Sequence, residues 1–330
     1  MNRITRIATA VLTASCLTIP VAAAAQDVTL KLGWTTSDSK MDPYAVGAHL
    51  FKDKLEELSG GSITVELYPS RQLGDEKQMM EGLRFGTVDA ALTTNSVVTQ
   101  MEERFGLFDL PFIFASAEKA HTLLDSEVGA ELAATLEPKG IVDLGYMEGG
   151  FRHMLNNRHP ITQPADVEGV KFRVMQSPMF IQMFDSLGGA PVPMAWGETF
   201  TAIQQGTIDG LEGAVSVFYA SNFQDVSKYI SLTRHNYSTV HLLMSQMTMN
   251  KLSDEQKAAV REAARHAVEG QRARNAELEK ESIRLITDAG VTVNEVADLS
   301  EFRTLMEPVY ANYRDNVDAE LLDRALEILK

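Results

Sequence analysis

Residues 28–67 read VTLKLGWTTSDSKMDPYAVGAHLFKDKLEELSGGSITVEL. Val28, Leu30 and Leu32 alternate with Thr29 and Lys31, the two-residue period of a half-buried strand. Asp42-Pro43 then supplies an N-cap and a proline at the first helical turn. Tyr44, Ala48, Phe51, Leu55 and Leu58 recur at spacings of four and three, one face of a helix. Gly60-Gly61 ends that helix, and Ile63, Val65 and Leu67 alternate again. Strand, helix and strand joined by short connections make a βαβ unit, which predicts an α/β chain with a parallel sheet.

The same signal returns further along. Gly86-Thr87-Val88-Asp89 follows a helix-like segment and leads into Ala90-Ala91-Leu92. Gly206-Thr207-Ile208-Asp209 follows another, residues 199–205, and also leads into a short apolar strand. Such an echo arises either from generic α/β turn chemistry or from two lobes of similar build. The C-terminal part differs. Ser253 to Gln256 has the form of a capping box, and no proline interrupts the run to Asp288, which predicts a long helix. Gly290 stops it, residues 291–293 read as a short strand, and residues 318–330 as a final amphipathic helix.

A chain of 330 residues fits about two domains. It carries 45 acidic against 30 basic side chains, a formal charge of -15, which disfavours nucleic acid and anionic membrane as partners. Arg3 and Arg6 precede an uncharged stretch, residues 7–26, that ends in Ala22-Ala23-Ala24-Ala25. This is the pattern of a secretory signal cut after about Ala25, so the expected destination is a periplasm. Cys16, the single cysteine, falls inside the signal. The mature chain then has no disulfide, cysteine nucleophile or thiolate metal site, and no cofactor is expected.

Enzyme signatures are missing from the sequence: no Gly-x-Ser-x-Gly elbow, no His-Glu-x-x-His, no Gly-x-x-x-x-Gly-Lys. Arg173 is the most informative charge. In Val170-Lys171-Phe172-Arg173-Val174 it shares one strand face with Lys171, near the strand's carboxyl end. There it either faces solvent or clamps a carboxylate with two parallel hydrogen bonds. Arg152, after Gly149-Gly150-Phe151, has the same two readings. Trp34 and Trp196, the two tryptophans, stand at strand or loop ends as core residues or pocket walls. Glu212 follows an apolar strand and by default faces solvent.

Together these pieces resemble the solute-binding proteins of TRAP (tripartite ATP-independent periplasmic) transporters, of the dicarboxylate-binding type. The stretches that carry the resemblance are Tyr68-Pro69-Ser70-Arg71-Gln72-Leu73-Gly74-Asp75-Glu76, Phe108-Asp109-Leu110-Pro111-Phe112 and Gly150-Phe151-Arg152. They continue with residues 167–174 (VEGVKFRV), 187–194 (LGGAPVPM) and 205–212 (QGTIDGLE), in the same order over nearly the whole mature chain. The resemblance implies a two-lobed periplasmic-binding-protein-like α/β fold, a ligand cleft between the lobes and a long C-terminal helix spanning both. It implies lobe I from residues 26–151 plus 239–278 and lobe II from 152–238 plus 279–330. It also implies delivery of the captured solute to the small and large subunits of a membrane permease.

By the same resemblance Arg173 salt-bridges the ligand carboxylate and Arg152 is a second, more variable ligand arginine. Glu76, Thr94, Asn95, Gln176 and Trp196 match pocket-lining positions. Trp34 faces the ligand from the first strand, and His235 to Tyr237 lie near the hinge. One departure stands out. Where many members carry Asp-Gly-x-Glu-Asn, this chain has Asp209-Gly210-Leu211-Glu212-Gly213, so the pocket is either larger at Gly213 or uses backbone there. The reading that results is a periplasmic binding protein for a small organic acid, a hydroxylated monocarboxylate or sugar acid. Its rivals are a C4-dicarboxylate binder and an exported α/β hydrolase using Glu76 and Glu212 as paired carboxylates.

Overall fold

The βαβ unit forms where the periodicities predict it. A computed structural model describes residues 27–330; the secretory signal expected at residues 1–25 lies outside the described residues. Strand β1 (Val28–Gly33) pairs in parallel with β2 (Ile63–Tyr68) across the helix Pro43–Leu58. Asp42 caps that helix by accepting hydrogen bonds from the Tyr44 and Ala45 amides, and Pro43 opens its first turn. The helix buries Tyr44, Ala48, Phe51 and Leu55 on the sheet.

The remaining strands are β3 (Ala90–Thr94), β4 (Ile141–Asn156), β5 (Lys171–Val174), β6 (Ala190–Pro193), β7 (Gly210–Ala214), β8 (Tyr229–Ser245) and β9 (Thr292–Glu295). Their order is β2-β1-β3-β8-β4-β7-β5-β6, with β9 added beside β8. The order is internally symmetric. In one half β1 lies parallel between β2 and β3, and β3 meets β8 antiparallel. In the other, β5 lies parallel between β6 and β7, and β7 meets β4 antiparallel. The long strands β4 and β8 pair with each other and join the halves, which are the two lobes.

The two Gly-Thr-x-Asp echoes occupy matching places in this scheme. Gly86 ends the helix Glu76–Phe85 in a left-handed turn and leads to β3. Gly206, also left-handed, leads from the helix Trp196–Gln204 to β7. Asp89 accepts a hydrogen bond from the Lys31 amide of β1 at 3.0 Å, and Asp209 accepts one from the Lys171 amide of β5 at 3.0 Å. Each aspartate accepts a backbone amide of its neighbouring parallel strand, Lys31 within β1 and Lys171 at the start of β5, so the echo has a structural cause.

The helix Asp254–Asp288 has 35 residues, a length of about 50 Å. Ser253 and Gln256 form the expected capping box. Val260, Ala263, Ala264 and Ala267 pack it on the helix Pro43–Leu58 and its surroundings, and Gln271 and Asn275 reach into β4. A final helix, Ala319–Ile328, starts at an Asp318 cap. No helix among the described residues is long and apolar enough to cross a membrane.

Candidate ligand-binding site

Strands β1, β3, β5 and β7 all point their carboxyl ends at the junction between the lobes, the position where α/β sheets bind ligands. A cavity lies there. Thr35 and Thr36 reach it from beyond β1, Thr94 from β3, Arg173 and Met175 from β5, and Gly213 and Ala214 from β7. Arg152 and Ser238 come from the crossing strands β4 and β8. Glu76 and Trp196, each the first residue of its helix, complete the wall together with Tyr44 and Val217. The internal symmetry of the sheet therefore centres on the cavity, with each lobe contributing equivalent strand ends and an equivalent helix start.

Arg173 is 2 % exposed because β5 is an inner strand with β6 and β7 on either side. Its Nε and Nη2 both donate to the Met194 carbonyl, at 2.9 and 2.7 Å, which fixes the guanidinium by one edge. Nη1 meets only the Met175 sulfur, at 3.5 Å. The Trp196 ring lies 5.7 Å from the guanidinium carbon. Burial pulls the Arg173 pKa down to about 10, against the pull of Glu212 and Glu76.

Arg152 is neutralised. Its Nε donates to Glu212 Oε2 at 2.5 Å and its Nη2 to Glu212 Oε1 at 2.6 Å. Nη1 donates to Ser238 Oγ at 3.3 Å, and the guanidinium carbon stands 5.2 Å from the Phe180 ring. Glu212 is fully buried behind Arg152 and off the cavity wall, with His235 Nε2 3.5 Å away. Burial alone would raise its carboxyl; Arg152 and His235 instead hold it at about 2. Glu76, by contrast, is raised above the usual carboxylate range by burial. Its carboxylate accepts from the Thr94 amide at 3.0 Å and the Thr94 hydroxyl at 2.8 Å.

The structure thus brings Arg173, Arg152, Glu76, Thr94, Trp196 and Gly213 to one cavity, and puts Gln176 in an adjoining chamber. Four other candidates point elsewhere. Trp34 is packed in the core of the first lobe, its Nε1 donating to the Ser37 carbonyl at 3.3 Å. Asn95 spans from the Phe105 carbonyl, 2.9 Å, to His241 Nε2, 3.1 Å. His235 bonds Thr233 Oγ1 through Nδ1 at 2.8 Å, and burial lowers its pKa. Tyr237 donates its hydroxyl to Glu148, which also takes His121 Nε2 at 2.5 Å and Asn275 Nδ2 at 2.9 Å. Gly213 leaves no enlarged pocket: a Cβ there would sit 2.9 Å from the buried Phe218 ring, which fills the space.

Thr35, Thr36, Tyr44, Met175 and Ser238 were not anticipated as wall residues. The strand-end rule that singles out Arg173 would have found Thr35, Thr36 and Met175 if applied to every parallel strand. Tyr44 and Ser238 lie inside a helix and a long strand, where no local signal marks them. Nor does the geometry suit a two-carboxylate hydrolase, since Glu212 gives both oxygens to Arg152.

Comparison with known proteins agrees with this architecture. The family described as bacterial extracellular solute-binding protein, family 7, matches residues 35–316. The 2,3-diketo-L-gulonate-binding periplasmic protein YiaO of Escherichia coli (strain K12) is 35% identical over 264 residues, 80% of each chain. A crystal structure of a TRAP periplasmic solute binding protein from Polaromonas sp JS666, bound to D-erythronate, superposes with a TM-score of 0.88 at 34% identity, covering 91% of this chain and 98% of that one. The sugar acid binding protein DctPAm from Advenella mimigardefordensis, in complex with galactonate, gives 0.89 at 27% identity, covering 92% and 98%. An α/β sheet in two symmetric lobes, a cavity between them and a family match over most of the length lead to one conclusion: the chain belongs to family 7 of the bacterial extracellular solute-binding proteins, the periplasmic proteins that hand small organic acids to TRAP membrane permeases.

Proposed function

We propose that the cavity captures a hydroxylated monocarboxylate, a sugar acid, whose carboxylate sits on Arg173. The observation that carries this reading is Arg173 itself: a buried guanidinium, held on one edge by a carbonyl, whose remaining Nη1 faces only sulfur. A buried cation in that position is costly until an anion joins it. Glu212 already occupies Arg152, so inside this cavity a second ligand carboxylate finds no other free cation; this favours one carboxylate over two. Thr35, Thr36, Thr94, Tyr44 and Ser238 offer hydroxyls, and Glu76 a carboxylate, to ligand hydroxyl groups. The acids bound by the relatives named above fit that description. On this reading the signal is removed after Ala25, and the lobes are residues 26–151 plus 239–278 and 152–238 plus 279–330.

The test is a thermal-shift comparison of residues 26–330, wild type and Arg173→Ala, against D-galactonate, D-erythronate, succinate and galactose. A ligand that binds only the folded state stabilises it by about 2.7 kcal/mol at a hundredfold excess over Kd. A monocarboxylate shift that falls to about half or less in Arg173→Ala at the same ligand concentration supports the reading. A response to galactose alone, or an acid response undiminished by the substitution, refutes it.

A further inference from the structure

Arg71 stands where the two lobes meet at the outer chamber. It follows β2, and both it and Ser70 hold left-handed backbone, with φ of 65° and 53°. Neither is glycine, so the surroundings impose the conformation, a kind of strain that collects at ligand clamps and switch regions. The Ser70 amide donates to the Thr36 carbonyl at 2.8 Å, the Arg71 amide to the Trp34 carbonyl at 3.1 Å, and the Gly74 amide to the Arg71 carbonyl at 2.9 Å. These bonds tie the turn to the loop that carries Thr35 and Thr36 into the cavity.

The turn sends the Arg71 side chain across to the other lobe. Its guanidinium lies on Gly197, the second residue of the helix Trp196–Gln204. A Cβ on Gly197 would fall 1.6 Å from Arg71 Nη1, 2.1 Å from Cζ and 2.6 Å from Nε. Gly197 has no positive φ, so its backbone does not need glycine. The missing side chain instead makes room for the guanidinium. Next to it Trp196 lies against Arg173, so the contact touches the helix start that walls the ligand cavity. The side-chain hydrogen bonds between the lobes here are single ones: Ser37 Oγ to the Ala220 carbonyl at 3.0 Å and Gln100 Nε2 to the Gln176 carbonyl at 3.1 Å.

We propose that Arg71 is a latch: by seating on Gly197 it holds the lobes together over the outer chamber and slows release of bound solute. This rests on a cavity between two lobes and not on which acid fills it. Arg71 acts as a positioning residue, since the closed cleft positions Trp196 against Arg173.

The test uses residues 26–330 as wild type, Arg71→Ala, Gly197→Ala and the double variant. This chain has no cysteine after Cys16, so Glu81→Cys and Asp185→Cys, exposed and in different lobes, accept spin labels. Pulsed EPR distances are recorded without ligand and with D-galactonate, and D-galactonate dissociation is followed on unlabelled protein by stopped-flow fluorescence. Each single variant is expected to lower the closed fraction in at least one condition and to speed release by roughly three- to tenfold, an effect on dissociation rather than association. The double variant should match the singles, because Gly197→Ala evicts the same guanidinium that Arg71→Ala removes. Arg71→Lys should not rescue, since a lysine ammonium cannot lie flat on the backbone. Melting of ligand-free Gly197→Ala should not fall, alanine being the better helix residue. Unchanged closed fractions in both singles, or a double variant losing the product of the two effects, overturns the latch. Failure of D-galactonate to bind the wild type counts against the sugar-acid reading, and the ligand-free distances then decide the latch by themselves.

Discussion

Arg152 and Glu212 meet in a two-pronged ion pair, Nε to Oε2 at 2.5 Å and Nη2 to Oε1 at 2.6 Å, with Arg152 6 % and Glu212 0 % exposed. The pair bridges β4 and β7, neighbours in the sheet. It sets the two cavity arginines apart: Arg152 is compensated from within the protein, whereas Arg173 is hydrogen-bonded only to the Met194 carbonyl and the Met175 sulfur.

Breaking that pair leaves a buried, uncompensated guanidinium. Glu212→Gln is expected to lower unfolding free energy by about 3–5 kcal/mol. Urea unfolding at neutral pH measures it, and a loss below about 1 kcal/mol would mean that solvent reaches Arg152 in the folded state.

Arg173→Ala should have the opposite balance. Removing a cation that no internal carboxylate hydrogen-bonds costs little apo stability, and the melting temperature should stay close to wild type. Affinity for a carboxylate ligand should fall by about 1.5–3 kcal/mol, roughly 10- to 150-fold, the range of hydrogen bonds to charged groups. Calorimetry on the best-stabilising acid of the thermal-shift panel checks both halves.

Acid stability follows from Glu212. Its carboxyl titrates at about 2 in the folded chain against an ordinary 4.5. A depressed acid stabilises the fold above its unfolded pKa, and the contribution is lost as pH falls from about 4.5 towards 2, on the order of 3 kcal/mol. Unfolding free energies at about pH 5 and about pH 3 should differ by about 2 kcal/mol of this, and Glu212→Gln should flatten the difference.

Asp42 has the reverse sign. Burial pushes it up from 3.8 to about 7, against the amides it caps. Its contribution is present below pH 3.8 and lost as pH rises through about 7. Asparagine is an equally good N-cap. Asp42→Asn is therefore expected to keep the helix Pro43–Leu58 and to remove part of the stability loss between about pH 4 and 7, as read by urea unfolding across that range. An unchanged pH dependence in the variant would show that the Asp42 charge is well solvated in the folded chain.

Gly213→Asn should not improve binding. Its Cβ would press on Phe218 at 2.9 Å in a packed core. Overpacking of this kind costs about 1–3 kcal/mol. The melting temperature should drop; a stable variant with tighter acid binding would mean that Phe218 moves aside.

What the sequence determined by itself was local. The strand and helix periods of residues 28–67, the Asp42 and Ser253 caps and the paired Gly-Thr-x-Asp turns depend on neighbours within a few residues, and all of them formed. Arg173 was legible because a strand's carboxyl end is a place defined by the strand itself. Tertiary structure alone decided the rest, because each remaining feature depends on groups far apart in the chain. Arg152 finds Glu212 only through the register of β4 on β7. Trp34 turns into the core and Tyr237 towards Glu148, choices set by what packs behind their strands. Phe218 fills the place of a side chain at Gly213, and Gly197 leaves space for an arginine of the other lobe. No local pattern carries such information, since the physical cause is the volume and charge that another segment brings to the same point.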